Sequence, residues 1–285
     1  MESNNYSNVT SHNNSTDNSY YGGPHIIYVM TCIIISIGLP LTLVAIYSLY
    51  SQVQNNNVAP IYIINLLISD IIQFCCMIIL VAKPDWNIYR IYRIFYFIYD
   101  IGLLASVGFM VCVALERYLL IAWPLWYRFR RTIKISLVVC VVVWTLPLVF
   151  LLSVYFWVKS KVMITILGIL SLVPFPLLIF FLGGTLTSLS AAISVSSDEK
   201  RRIVGMLVLV LLIYTLLFLP TIIVFLTEEV RDNDTLIKLR LILVRFSPLA
   251  DLILYFFIRK GAIDKLLASL CCCRMDSDDN SRSSA

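Results

Sequence analysis

Seven apolar runs, at roughly 26 to 50, 59 to 82, 94 to 122, 134 to 157, 162 to 193, 203 to 227 and 236 to 258, take up most of the chain. Each exceeds the ~20 residues that a helix needs to cross the hydrocarbon core of a bilayer. No water reaches that core, so every backbone N–H and C=O must be satisfied within the segment, and a single run does this only as a helix. Composition agrees. Hydrophobic residues make up 60% of the 285 and charged residues 14%, with a mean hydropathy of +0.87, whereas soluble domains carry about a quarter charged residues. The expected fold class is an all-α membrane protein, a seven-transmembrane helix bundle.

The runs divide the chain into three expected parts: an extracellular, disordered, glycosylated tail at 1–24, the helical domain at 25–258, and an amphipathic eighth helix with a cytoplasmic tail at 259–285. The first part has no Lys or Arg and no apolar core, so it lacks the pattern of a cleaved signal peptide. Five Asn-x-Ser/Thr sequons, at Asn5, Asn8, Asn13, Asn14 and Asn233, fall on one side of a seven-span chain, and glycosylation would make that side the outside. Arg128, Arg130, Arg131 and Lys134 after the third run, and Lys200, Arg201 and Arg202 before the sixth, place those loops in the cytoplasm by the positive-inside rule. Both arguments put the N-terminus outside the plasma membrane and the C-terminus inside. The net charge of +5 then reflects topology, and nucleic acid is not an expected partner.

Of eight cysteines, Cys32, Cys75, Cys76, Cys112 and Cys140 lie in apolar runs, and Cys271, Cys272 and Cys273 follow the last. None falls in an expected extracellular loop, so no external disulfide is expected. The triplet, preceded by "RKGAIDKLLASL", reads as a palmitoylation site beside an amphipathic segment; three inert thiols are the alternative.

Charges inside the runs are the second constraint. "LVRFSPLADLILYFF", residues 243–257, holds both Arg245 and Asp251, and each costs a few kcal/mol in mid-bilayer unless it finds a partner or water. "VCVALERYLLIAWPLWYRFRRT", residues 111–132, ends an apolar run with Glu116, Arg117 and Tyr118. That Glu-Arg pair either anchors the helix at the inner interface or performs a function there.

E-R-Y followed by x-x-I-A-x-P-L-x-Y is similar to the end of the third helix in rhodopsin-like G-protein-coupled receptors, and the resemblance extends over nearly the whole chain. "NLLISD" (65–70), Trp144, "LLFLP" (216–220) and "DLILY" (251–255) resemble signatures of the second, fourth, sixth and seventh helices. "GGTLTSLS", "SSDEKRR" and "INLLISDIIQ" are similar to the branch holding purinergic, lysophospholipid and proton-sensing receptors. The resemblance implies a receptor that carries an extracellular signal to a heterotrimeric G protein, with Glu116, Arg117, Tyr118, Phe218, Pro220 and Tyr255 as the activation switch. It also implies an allosteric sodium ion among Asp70, Ser106 and Asp251, with no other cofactor. The chemistry is sound without the family, because facing carboxylates in a low dielectric need a cation or a proton between them. A protonated, hydrogen-bonded Asp pair is the alternative.

The chain also departs from the family pattern. Thr42 replaces the first-helix Asn, Phe218 the sixth-helix Trp, Leu182 the fifth-helix Tyr beyond Pro174, and Tyr92 the third-helix Cys. Leu252 stands where the seventh helix has its proline, and Pro248 lies one turn earlier, so the kink should move by a turn. Only "WVKSK" (157–161) separates the fourth and fifth runs, too short for a lid.

For a ligand, Arg245 and Asp100 are expected to meet in an upper cavity, with Lys238 and Arg93 on the same helix faces. Arg245 lies six residues before Asp251, which rotates it roughly 240° away on a continuous 3.6-residue helix. Either the cations bind an anionic or lipid-like ligand through guanidinium forks, or Asp100 neutralises Arg245 and ties two helices together. With only His12 and His25 in the chain, a pH response would rest on Asp70, Asp100 or Asp251. Constitutive activity is the alternative to a ligand. Outside receptor function, intramembrane charge also marks ion paths, so an ion-translocating protein or a receptor-like scaffold without G-protein coupling is the alternative. No metal-ligand spacing, nucleophile elbow or phosphate loop supports an enzyme.

Overall fold

The computed structural model describes residues 18–54, 61–82, 89–123, 133–157, 160–191, 197–227 and 234–257. The expected amphipathic helix, the sequons and the Cys271–Cys273 triplet lie outside these residues.

Each apolar run forms helix. They are α1 (Asn18–Gln54), α2 (Ile61–Val81), α3 (Tyr89–Ala122) and α4 (Ile133–Trp157), then α5 (Ser160–Leu172) and α6 (Pro174–Ala191), α7 (Ser197–Leu226), and finally α8 (Asp234–Arg245) with α9 over 247–257. Six spans are long and apolar enough to cross a membrane. The seventh is the pair α8 and α9. Thus the fifth and seventh spans are each made of two helices, broken at Val173 and Phe246.

Proline explains both breaks. It has no N–H to donate four residues back, and its ring crowds the preceding turn. At Val173, before Pro174, the amide turns to Leu170 O at 3.1 Å, and at Phe246, before Pro248, to Leu243 O at 3.0 Å. These three-residue bonds tighten the chain locally. The break at Phe246 shows that the irregularity has moved toward Pro248, as the sequence predicts. Pro147 and Pro220, by contrast, sit inside unbroken α4 and α7.

The bundle is apolar outside as well as inside. Val44, Tyr47, Val138, Val149 and Leu216 are all more than half exposed, which is stable only where lipid covers them. Half of the apolar window is buried in α2, α3 and α7, against 17% in α4 and in the fifth span. The first three therefore form the centre and the latter two the rim. α3 packs on α2, α4, α6 and α7, while α1 packs on α2 and α8. One core cluster, including Leu66, Phe109, Tyr214, Phe218, Leu254 and Tyr255, fills the middle. A smaller one, Ile34, Phe74, Cys76, Met77 and Tyr99, joins α1, α2 and α3.

Candidate functional site

The polar interior starts at Asn65. Its amide donates to Ile61 O at 2.9 Å within α2 and to Cys140 Sγ at 3.4 Å on α4, and its oxygen accepts Trp144 Nε1 at 3.1 Å. Trp144 also meets Phe109 edge-on at 5.8 Å. One side chain thereby fixes α4, a rim helix, against α2 and α3.

Asp70, Ser106 and Asp251 come together from α2, α3 and α9, all fully buried. Ser106 Oγ donates to Asp251 Oδ2 at 2.6 Å. The carboxyl groups of Asp70 and Asp251 are close enough to act directly on each other, yet no donor among the described residues reaches either Asp70 oxygen or Asp251 Oδ1. Two acceptor-only groups facing each other in a dry interior repel unless something positive lies between them. Thr42 Oγ1 and Ser247 Oγ are likewise buried without partners, in line with the limited bonding expected of Thr42.

At the far end of α3 lie Glu116, Arg117 and Tyr118. Glu116 is buried, 7% exposed, and its charge acts on Tyr62 of α2. The Tyr118 ring stacks on Phe181 of α6 at 5.8 Å and meets Phe180 edge-on at 5.9 Å. It can lie there because Gly184 has no side chain: a Cβ at that position would come within 2.6 Å of the ring. Tyr255 is buried in the main core cluster and sets its ring edge against Phe256 at 5.2 Å.

At the other end, toward the start of α3, the bundle holds a partly open cavity of about 190 Å³. Its apolar wall includes Met77, Leu103, Leu151 and Leu167, and its polar wall Tyr99, Asp100, Arg240 and Arg245. Phe218 also lines it, stacked on Tyr214 at 4.9 Å and 16°. Pro220 follows two residues later in the same helix.

Asp100 and Arg245 line one cavity, and the hydrogen bond of Arg245 goes elsewhere. Arg240 is the cation that acts on Asp100, and its guanidinium also lies over the Phe225 ring at 4.7 Å. Arg245 instead donates through Nη1 to Thr31 Oγ1 of α1. Lys238 is half-buried and Arg93 exposed, and neither lines the cavity. Counting faces from Asp251 assumed a continuous seventh helix, and the turn at Phe246 breaks that count.

Two tyrosines that the sequence reading missed complete the site. Tyr99 Oη donates to Val244 O at 3.3 Å, the carbonyl that Pro248 leaves without its helical donor. Tyr214 Oη donates to Ser171 O, in the turn before Pro174. Each break is thus capped by a hydroxyl from a neighbouring span. A buried Tyr needs such a partner, but only the fold shows which carbonyl is free. All five described cysteines are free thiols.

Comparison with known proteins bears on what this arrangement is. Residues 41–250 match the model of the 7 transmembrane receptor (rhodopsin family). A stretch of 121 residues, 42% of this chain, is 33% identical to the human Mas-related G-protein coupled receptor member X1, covering 37% of that protein. Another of 148 residues, 48% of this chain, is 28% identical to bovine G-protein coupled receptor 68, covering 38% of it. The Mas-related G-protein coupled receptor member X3 of Macaca mulatta is 34% identical over 127 residues, 42% of this chain and 37% of that protein. Each match spans less than half the relative's length, while the family model spans most of the helical bundle described above. With its paired intramembrane carboxylates, its Glu-Arg-Tyr helix end and its proline-broken spans, this multi-pass membrane protein belongs to the rhodopsin family of seven-transmembrane receptors.

Proposed function

We propose that the chain is a G-protein-coupled receptor that takes an extracellular signal at the cavity and passes it to a heterotrimeric G protein at the Glu116, Arg117 and Tyr118 end of α3. The observation that carries this reading is the column of contacts between the two ends. Phe218 lines the cavity and stacks on Tyr214; Tyr214 holds the fifth-span break at Ser171; the lower part of that span carries Phe181, on which Tyr118 stacks. A ligand that moved Phe218 would shift Tyr214, loosen the break and disturb the packing beside Arg117. Packed elements with discrete breaks are what allow small displacements to become switches.

The orientation follows the positive-inside argument, with the N-terminus outside and the switch residues facing the cytoplasm. The ligand is an anionic or lipid-like molecule, since two guanidiniums against one carboxylate line a largely apolar cavity among the described residues. A sodium ion would be held by Asp70, Ser106 and Asp251, whose unpartnered oxygens suit a small hard cation. There it would supply the positive charge that lets both carboxyl groups remain ionised. Palmitoylation at Cys271, Cys272 and Cys273, and glycosylation at the five sequons, belong to the same reading. Assembly with a nucleotide-free heterotrimeric G protein tests it: purified receptor should co-elute with the trimer of at least one G-protein class and release it on addition of a GTP analogue. A scaffold or an ion-translocating protein would give no nucleotide-sensitive complex with any class.

A further inference from the structure

Among the described residues, the charges that line the cavity do not balance. Two guanidiniums, of Arg240 and Arg245, face one carboxylate, that of Asp100. The charge of Arg240 acts on Asp100, and its guanidinium lies over the Phe225 ring. Arg245 has only a neutral acceptor, the hydroxyl of Thr31; among the described residues no carboxylate pairs with it. Arginine cannot shed its proton, and its planar fork presents five N–H donors. The Thr31 hydroxyl occupies one of them. Arg245 is partly buried, and an oxyanion bound side-on to the remaining donors would match its fork.

The size and lining of the cavity limit the rest of such a ligand. About 190 Å³ open to the centres of water molecules holds on the order of a dozen waters, which leaves room for a small head group and a short apolar body. Away from the guanidiniums, the wall is made of Met77, Leu103, Leu151 and Leu167, which would cover an apolar body.

We propose that the cavity binds a small, singly charged oxyanion with a short apolar body, such as a short-chain or aromatic carboxylate, with Arg245 holding the head group and Asp100 and Arg240 serving as wall. This rests on the reading of the cavity as the receptor's ligand site. It also gives the ligand a direct grip on the signalling side of the molecule, because Arg245 adjoins the break at Phe246 and joins α8 to α1 through Thr31. Drawing the guanidinium toward an oxyanion would pull on that junction, about one turn above Pro248 and nearly two above Asp251.

The test uses three probes of equal length and different charge, hexanoate, 1-hexanol and hexylammonium, on the full chain in phosphatidylcholine nanodiscs, with thermal unfolding as the readout. Hexanoate should raise the midpoint at concentrations at least tenfold below those needed with 1-hexanol, and hexylammonium should not raise it. Arg245→Gln should reduce the hexanoate effect at least tenfold, while Arg245→Lys, which keeps the charge and loses the fork, should retain part of it. Equal action of hexanoate and 1-hexanol would show an apolar cavity indifferent to charge, and preference for hexylammonium would show that Asp100 governs it. Either result overturns the proposal, as does a wild-type response in Arg245→Gln or a complete loss in Arg245→Lys. Because the readout involves no G protein, a failure of coupling leaves this result standing, and a failure here leaves coupling open to its own test.

Discussion

Ser106 gives Asp251 its one hydrogen bond, while both oxygens of Asp70 have none among the described residues. Two single-residue predictions follow from that asymmetry. Ser106→Ala strands a buried carboxylate and should lower stability by about 1–3 kcal/mol, read as a fall in the unfolding midpoint of the purified receptor. Asp70→Asn replaces one of two facing carboxylates with an amide that can donate to the other. It should raise the midpoint in sodium-free buffer and remove the stabilisation that sodium chloride, compared with choline chloride, gives the wild type. A wild-type sodium response in Asp70→Asn would exclude a cation between these residues. The cluster was legible in the sequence, since carboxylates in apolar runs have few ways to be tolerated. The placing of Arg240 near Asp100 was not, because it depends on the phase of the seventh span across a break. No face count marks out Arg240, which lies five residues before Arg245 in the same run.

At the scale of elements, the two broken spans set the behaviour of the bundle. Helix phase and apolar length predict where spans lie, and Pro174 and Pro248 mark where two of them are interrupted. Which groups then satisfy the freed carbonyls is a question of packing between spans and has no local signal. Tyr99 and Tyr214 fill that role, and each Tyr→Phe change should cost about 0.5–2 kcal/mol, the range of side-chain hydrogen bonds between membrane helices. Tyr214→Phe should also change basal signalling at matched surface level, because it loosens the joint between the fifth and sixth spans, whereas a purely structural bond would alter stability alone. Gly184→Ala provides a separate check on the contact between α3 and α6. With a Cβ 2.6 Å from the Tyr118 ring, the ring must leave Phe181 or the helices must part, at about 1–3 kcal/mol. Pairing it with Tyr118→Ala, which makes the space, should recover much of that loss, and an unrecovered loss would mean that the glycine serves another contact.

As a whole, the molecule keeps its charges at two interior levels and its greasiest side chains on the lipid side. One level, at the cavity, is built from Asp100, Arg240 and Arg245; the other, around Asp70 and Asp251, is fully buried. Seven spans and an all-helical bundle were readable from run length alone, because a bilayer admits so few other solutions. The cavity contents were not, since they arise where several spans approach and two of them bend. In the proposed function both levels act through the end of α3, and Arg117 is the residue on which that proposal depends. The most direct measurement is G-protein activation in cells expressing the chain, across all G-protein classes, against Arg117→Ala at equal surface expression. The account predicts a signal, basal or evoked by a small carboxylate, that falls at least tenfold in the variant. No signal in either, or an equal signal in both, would contradict it.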